Sequence, residues 1–282
     1  MLSAMTPQGT DELFAITLTG DYDDESPWAA VSELRMNGNR SIFEKASEWC
    51  RSSEPLKRAR GAAILCQLRA PKTPEQERAK ISADPIFVNE SFQILSRMIE
   101  HETDGIALNS ALFGLGHLGH DGSVPLLVPY ATHLDEEIRY AATCSLGSFT
   151  SDPLAVQTLI KLSKDPDEDI RDWALFALAS QSDSDSPELR EVFVRALEDA
   201  SQDVREEAIA GLAKRQDTRA ALPLLRLMES GSYYMHHQYD FAALLGENPD
   251  LENWGTEDFI DALYHRFPNL LPSRNTLQDS ET

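Results

Sequence analysis

Apolar positions in this chain recur in short stripes at helical spacing. Each stripe closes on a leucine, often beside a small residue: Leu34, Leu65, Leu115, Leu146, Leu178, Leu212 and Leu245. The intervals between these leucines are 31, 50, 31, 32, 34 and 33 residues. A repeat of that length holds two helices, too few to bury an apolar face alone, so neighbouring units must stack. The pattern predicts an all-α solenoid of about seven helix pairs with a closing helix. The one long interval marks extra chain, placed at 70–84 as an inserted surface loop.

The register comes from the second helix of each pair. With the first apolar position as zero, the leucine lies at +8. Val204, Ala208 and Leu212 occupy zero, +4 and +8 in the clearest unit, and a turn of 100° per residue puts all three on one face. Asp203 stands just before Val204, where a carboxylate caps free amides and favours the positive end of the helix dipole. Arg205 follows at +1. Asp169, Ile170, Arg171, Ala174 and Leu178 repeat the arrangement, as do Glu137, Ile138, Arg139, Ala142 and Leu146. The units ending at Leu115 and Leu65 are weaker, and the first and last are atypical, as array ends usually are.

An amphipathic stretch precedes each of these helices, as in 153–164, 187–199 and 218–228. Proline near the first turn suits a helix start, because its missing amide would have no partner there. Sustained two-residue alternation is absent, so no strands are expected. Residues 257–267 read as the closing helix. A single array over 1–272, followed by a mobile polar tail at 273–282, is the expected organisation.

The segments Asp203–Leu212 and Asp169–Leu178, with the small-residue helix ends Leu115–Gly119 and Leu146–Gly147, resemble HEAT repeats, in the short form associated with phycobilisome lyases. The resemblance is strongest over 104–228. It implies a right-handed α-α superhelix whose second helices line the concave face. It also implies that Asp169 with Arg171, and Asp203 with Arg205, form a ladder tying neighbouring repeats.

Charge narrows the function. Lys plus Arg number 25 against 47 Asp plus Glu, a formal net charge of −22. Such a surface repels phosphate backbones and speeds encounter with basic proteins. No apolar run approaches the roughly 18 residues of a membrane helix. Residues 1–5 lack the basic start and long apolar stretch of a signal peptide. Cys50, Cys66 and Cys144 lack metal spacing and fall in apolar helical patterns, which predicts buried thiols in a reducing, cytoplasmic setting.

Chemistry is thinly represented. His101–Glu102 is a lone pair, whereas the HEAT-like deoxyhypusine hydroxylases bind two irons through several. His236 and Asp240, with His237 between them, share only a two-ligand spacing; His117, His120 and His133 are weaker still. The acidic runs 21–25 and 165–169 lack the glycine and trailing glutamate of a calcium loop. Neither a phosphate loop nor a nucleophile elbow is present. No catalytic residue, cofactor or metal is therefore assigned, and nucleic acid is not an expected partner.

Positions +2 and +6 face away from zero, +4 and +8. They carry Trp28, Phe113, Tyr140, Phe176 and Tyr239, flanked by Trp173 at +3, with Asp172, Glu206 and Asp240 as acidic neighbours. Two readings stand at this point. The rings are packed between repeats, or Trp28, Phe113, Tyr140, Asp172, Trp173, Phe176, Glu206 and Tyr239 form an anchor strip for another protein, since aromatic anchors among polar residues suit protein recognition. The second predicts a non-catalytic scaffold binding a basic partner, as a bacterial immunity or antitoxin protein would. The alternatives are a bilin lyase-like chromophore attachment factor and a HEAT-like DNA glycosylase, the latter opposed by the charge.

Overall fold

The computed structural model describes residues 7–231, 238–246 and 254–274. His236 and His237, and the tail beyond Arg274, lie outside the described residues. Helices account for the fold, and the sole β-type pairing among the described residues is an isolated bridge between Arg69 and Pro85. The helices fall into two compact units, Met1–Phe149 and Thr150–Thr282.

Unit 1 holds four pairs: α1 (Pro7–Ile16) with α2 (Glu25–Met36), α3 (Arg40–Trp49) with α4 (Pro55–Leu65), α6 (Val88–His101) with α7 (Gly105–Leu118), and a broken first helix with α9 (Glu136–Gly147). The broken helix is α8 (Val124–Leu127) between 3-10 turns. Pro125 and Pro129 remove the amides that a continuous helix would use. The insertion carries the short helix α5 (Pro74–Ala79), opened by Thr73 in a capping box with Gln76.

Unit 2 pairs α10 (Pro153–Leu162) with α11 (Glu168–Phe176) and α12 (Pro187–Ala196) with α13 (Gln202–Lys214); α14 (Ala221–Ser230) packs against the closing helix α16 (Thr256–Arg266), and α15 (Gln238–Leu245) against α13 and α16. After Phe176, α11 widens into a π turn, Ala177–Gln181. Carbonyls there are taken up by the basic end of α13: Lys214 donates to Ser180 and Ser182 at 3.1 Å each, and Arg215 to Leu178 at 2.9 Å.

The second helices stack on one another, α2–α4–α7–α9 in unit 1 and α11–α13–α15 in unit 2. All seven marker leucines are buried, none more than 4% exposed. The small residues beside them let backbones approach. A Cβ on Gly116 would lie 2.7 Å from Ser145 Cα, and one on Gly211 would overlap the Phe193 ring.

The caps differ from expectation. Asp203 and Asp169 are exposed first-turn residues, and the helices begin earlier. Asp167 is the residue that accepts from the Ile170 amide, while Ser201 opens α13 without a side-chain cap. The arginines at +1 follow one rule. Nη1 of Arg58, Arg139, Arg171 and Arg205 each donates to the carbonyls five and six residues earlier, closing the turn between paired helices.

Two of these arginines also reach the next repeat. Arg58 forks onto Glu102 at 2.6 and 2.8 Å, and Arg171 onto Asp199 at 2.9 and 2.8 Å. Each carboxylate accepts a backbone amide of its own turn as well. The ladder is real, but its acidic partners are Glu102 and Asp199, five residues before position zero, rather than Asp169 and Asp203. These arginines hold both carboxyls below the usual range, more than offsetting the opposing effect of burial.

Candidate functional site

The second helices present different faces in the two units. In unit 1 the chain between α1 and α2 folds across them. Arg60, at +3 of α4, is 1% exposed. Its Nε donates to the Thr17 carbonyl at 2.9 Å and its Nη2 to the Tyr22 carbonyl at 2.7 Å. The guanidinium lies 4.4 Å from the Tyr22 ring centre and 4.7 Å from that of Trp28, which meet edge to face. Burial lowers the Arg60 pKa, although a guanidinium remains charged at neutral pH. Tyr22 Oη then hydrogen-bonds Ser110 Oγ, at +3 of α7, at 2.6 Å. Nothing in the repeat register pointed to this cluster, because the carbonyls that hold Arg60 belong to the chain between α1 and α2.

Trp28 is thus half-buried beneath that loop. Phe113 and Tyr140 are also half-buried and meet edge to face at 6.4 Å. In unit 2, Trp173 is 39% exposed and Tyr239 69%. Trp173 stands edge to face on half-buried Phe176 at 5.5 Å. Asp172 beside it is half-buried.

One predicted strip residue is misplaced. Glu206 is 1% exposed and accepts from Gln202 Nε2 at 2.8 Å, so it is not an open groove acid. Ala59, Ala63 and Ala210, also at +2 or +6, are buried. A middle second helix has a second helix on either side, so its buried arc exceeds the face marked by zero, +4 and +8.

The remaining titratable candidates have structural duties. His120 stacks on Phe92 at 3.8 Å, and its Nδ1 accepts from the Gly122 amide. His133 Nδ1 accepts from the Asp135 amide. Burial pushes the Cys50 and Cys144 thiols up to about 12 and raises that of Cys66, so all three stay protonated at neutral pH. Among the described residues, no group of three or more His, Cys, Asp or Glu is placed to hold a metal ion. No described helix is long and apolar enough to cross a membrane.

HEAT repeats match residues 92–179 and 156–235, together just over half of the chain. The chain is a HEAT-repeat protein. Its sequence is 27% identical to Escherichia coli K12 protein YibA over 229 residues, covering 79% of this chain and 76% of YibA. The crystal structure of E. coli YibA superposes with a TM-score of 0.65 at 23% identity, covering 90% of this chain and 91% of YibA. An engineered protein of known structure follows at a TM-score of 0.51 and 18% identity, covering 95% of this chain and 75% of its own. These likenesses show the HEAT fold. The CpcE–CpcF complex of phycocyanin lyase from Nostoc reaches a TM-score of only 0.40 at 18% identity, covering 80% of this chain and 96% of the matched one, and carries no chemistry across.

Proposed function

We propose that this HEAT-repeat protein is a non-catalytic binding module whose docking surface lies on the second helices of unit 2. HEAT repeats commonly serve as protein-interaction scaffolds. The observation that carries the reading is Trp173: a large indole left open to solvent and braced edge to face on Phe176. A braced ring loses little conformational freedom on binding and buries a large area, which is why tryptophan and tyrosine dominate interface energetics. Tyr239 supplies a second exposed ring on α15, and Asp172 an adjacent carboxylate.

The partner is a basic protein, steered by the net charge of −22. Masking a basic toxin, as an immunity protein does, is the finer form of this reading. Affinity purification from the native cell supplies the partner. The W173A/Y239A variant should stay folded and lose that partner by tenfold or more, about 1.4 kcal/mol or above. Wild-type association should slow as salt rises, because steering weakens within a shorter Debye length. A partner held equally by wild type and variant overturns this surface, and a salt-independent on-rate overturns the steering.

A further inference from the structure

A cleft of about 360 Å³ opens in unit 1 where the α3–α4 turn meets α6. Its polar wall carries Arg51, Arg58, Arg97 and His101 against one carboxylate, Glu102. That carboxylate is fully engaged. It takes the Arg58 fork and also accepts the Thr103 and Asp104 amides, at 2.9 Å each. Arg58 in turn spends its Nη1 on the Ser52 and Ser53 carbonyls.

Arg58 and Glu102 therefore cancel, and Arg51 and Arg97 remain as net positive charge. Both are exposed, and neither makes an ion pair among the described residues. Glu48, on the last turn of α3 before Arg51, and Glu100, on α6 with Arg97, pair with neither among the described residues. Apolar groups are interleaved with these charges: Ile94 and buried Met98 share one face of α6 with Arg97 and His101, and the protonated thiol of Cys50 adjoins Arg51.

A counterpart cleft of about 350 Å³ in unit 2 sits between the α12–α13 turn and α14. There, Arg205 and Arg226 face Glu198 and Glu206, and the charges balance. The unit 1 cleft differs by its excess of guanidinium groups, in a chain that is otherwise strongly acidic. At physiological salt the Debye length is about 8 Å, so remote carboxylates contribute little and the potential in the cleft is set by its arginines together with Glu48 and Glu100.

We propose that the cleft walled by Arg51, Arg97 and His101 binds a small organic anion, with a phosphate or carboxylate head on the arginines and an apolar body against Ile94 and Met98. Planar guanidinium forks match oxyanions with two or more oxygens. The volume falls within the range of small-molecule sites, about 300–1,000 Å³. The site is separate from the docking surface proposed on unit 2, and either can fail without the other.

Calorimetric titration of the full chain at 0.15 M salt tests the proposal, with phenyl phosphate, benzoate and inorganic phosphate as probes. Saturable binding of phenyl phosphate or benzoate is expected, with inorganic phosphate weaker by about tenfold for want of an apolar body. The R51A/R97A variant, checked for folding by circular dichroism, should bind the tighter probe at least tenfold more weakly. R226A, in the balanced cleft of unit 2, should bind like wild type. Absence of saturable binding by both organic probes overturns the proposal, as does undiminished binding by folded R51A/R97A. Inorganic phosphate binding as tightly as the organic probes overturns the apolar contact.

Discussion

The same helix stack is finished in two ways. In unit 1, the loop before α2 lies across the second helices, and Arg60, Tyr22, Trp28 and Ser110 pack and hydrogen-bond beneath and through it. In unit 2, the corresponding positions stay open on α11, where Trp173 takes the +3 place that Arg60 holds on α4. The repeat fixes which face is core, whereas local chain additions decide whether the opposite face is used internally or offered outward. An aromatic residue at one register position therefore has no single role across the array.

The sharpest way to break this contrast is to remove Arg60. R60A leaves a cavity beneath two rings and strips the donor from two carbonyls, which should cost about 4 kcal/mol in denaturant unfolding. R60M, which keeps the stem, should recover part of that. An R60A cost below about 1 kcal/mol would mean that the loop is an ornament on unit 1 and its face is as open as that of unit 2.

The arginine ladder sharpens the comparison, because both units use it at different depths. The Glu102 side chain is 3% exposed and that of Asp199 16%. Stranding a more deeply buried carboxylate costs more, so R58A should destabilise by about 3 kcal/mol and R171A by about 2 kcal/mol. Equal losses in urea unfolding would show that depth does not distinguish the two rungs.

The core was legible because it obeys one period. Every marker leucine is buried, and each residue four positions before it is buried too. Helix starts were less legible: Asp167 and Asp169 are both acidic and two residues apart, and only the backbone tells which one caps. Glu206 was misread because helical geometry describes one helix, and α13 has a second helix on each side. The Arg60 cluster was invisible because its partners lie in a loop outside the repeat, 38 and 43 residues away along the chain. Trp173 was legible as a position; its exposure depended on what the chain placed over it.

Acid separates the units on a smaller scale. In unit 2, Asp217 accepts from Arg219 at 2.7 and 2.9 Å and from Arg190 at 3.3 Å, which holds its carboxyl down to about 2. An unfolded aspartate titrates near 4, so this contribution is complete above pH 4 and fades as pH falls through about 2, amounting to about 2 kcal/mol. D217N should be less stable than wild type at pH 7 by about that amount, with the gap closing between pH 4 and 2 in denaturant titrations. A gap that persists at pH 2 would assign the loss to packing instead of charge.

The smallest stability effect decides most about function. Trp173 is more than a third exposed and stands edge to face on Phe176, so W173A should cost about 1 kcal/mol or less. Trp28 supports the buried guanidinium, and W28A should cost about 3 kcal/mol. If W173A leaves the fold intact, the indole is not needed for the core and the docking surface proposed on α11 stands. If W173A instead unfolds the chain as readily as W28A does, the rings are core in both units and the docking surface on α11 falls with the contrast that suggested it.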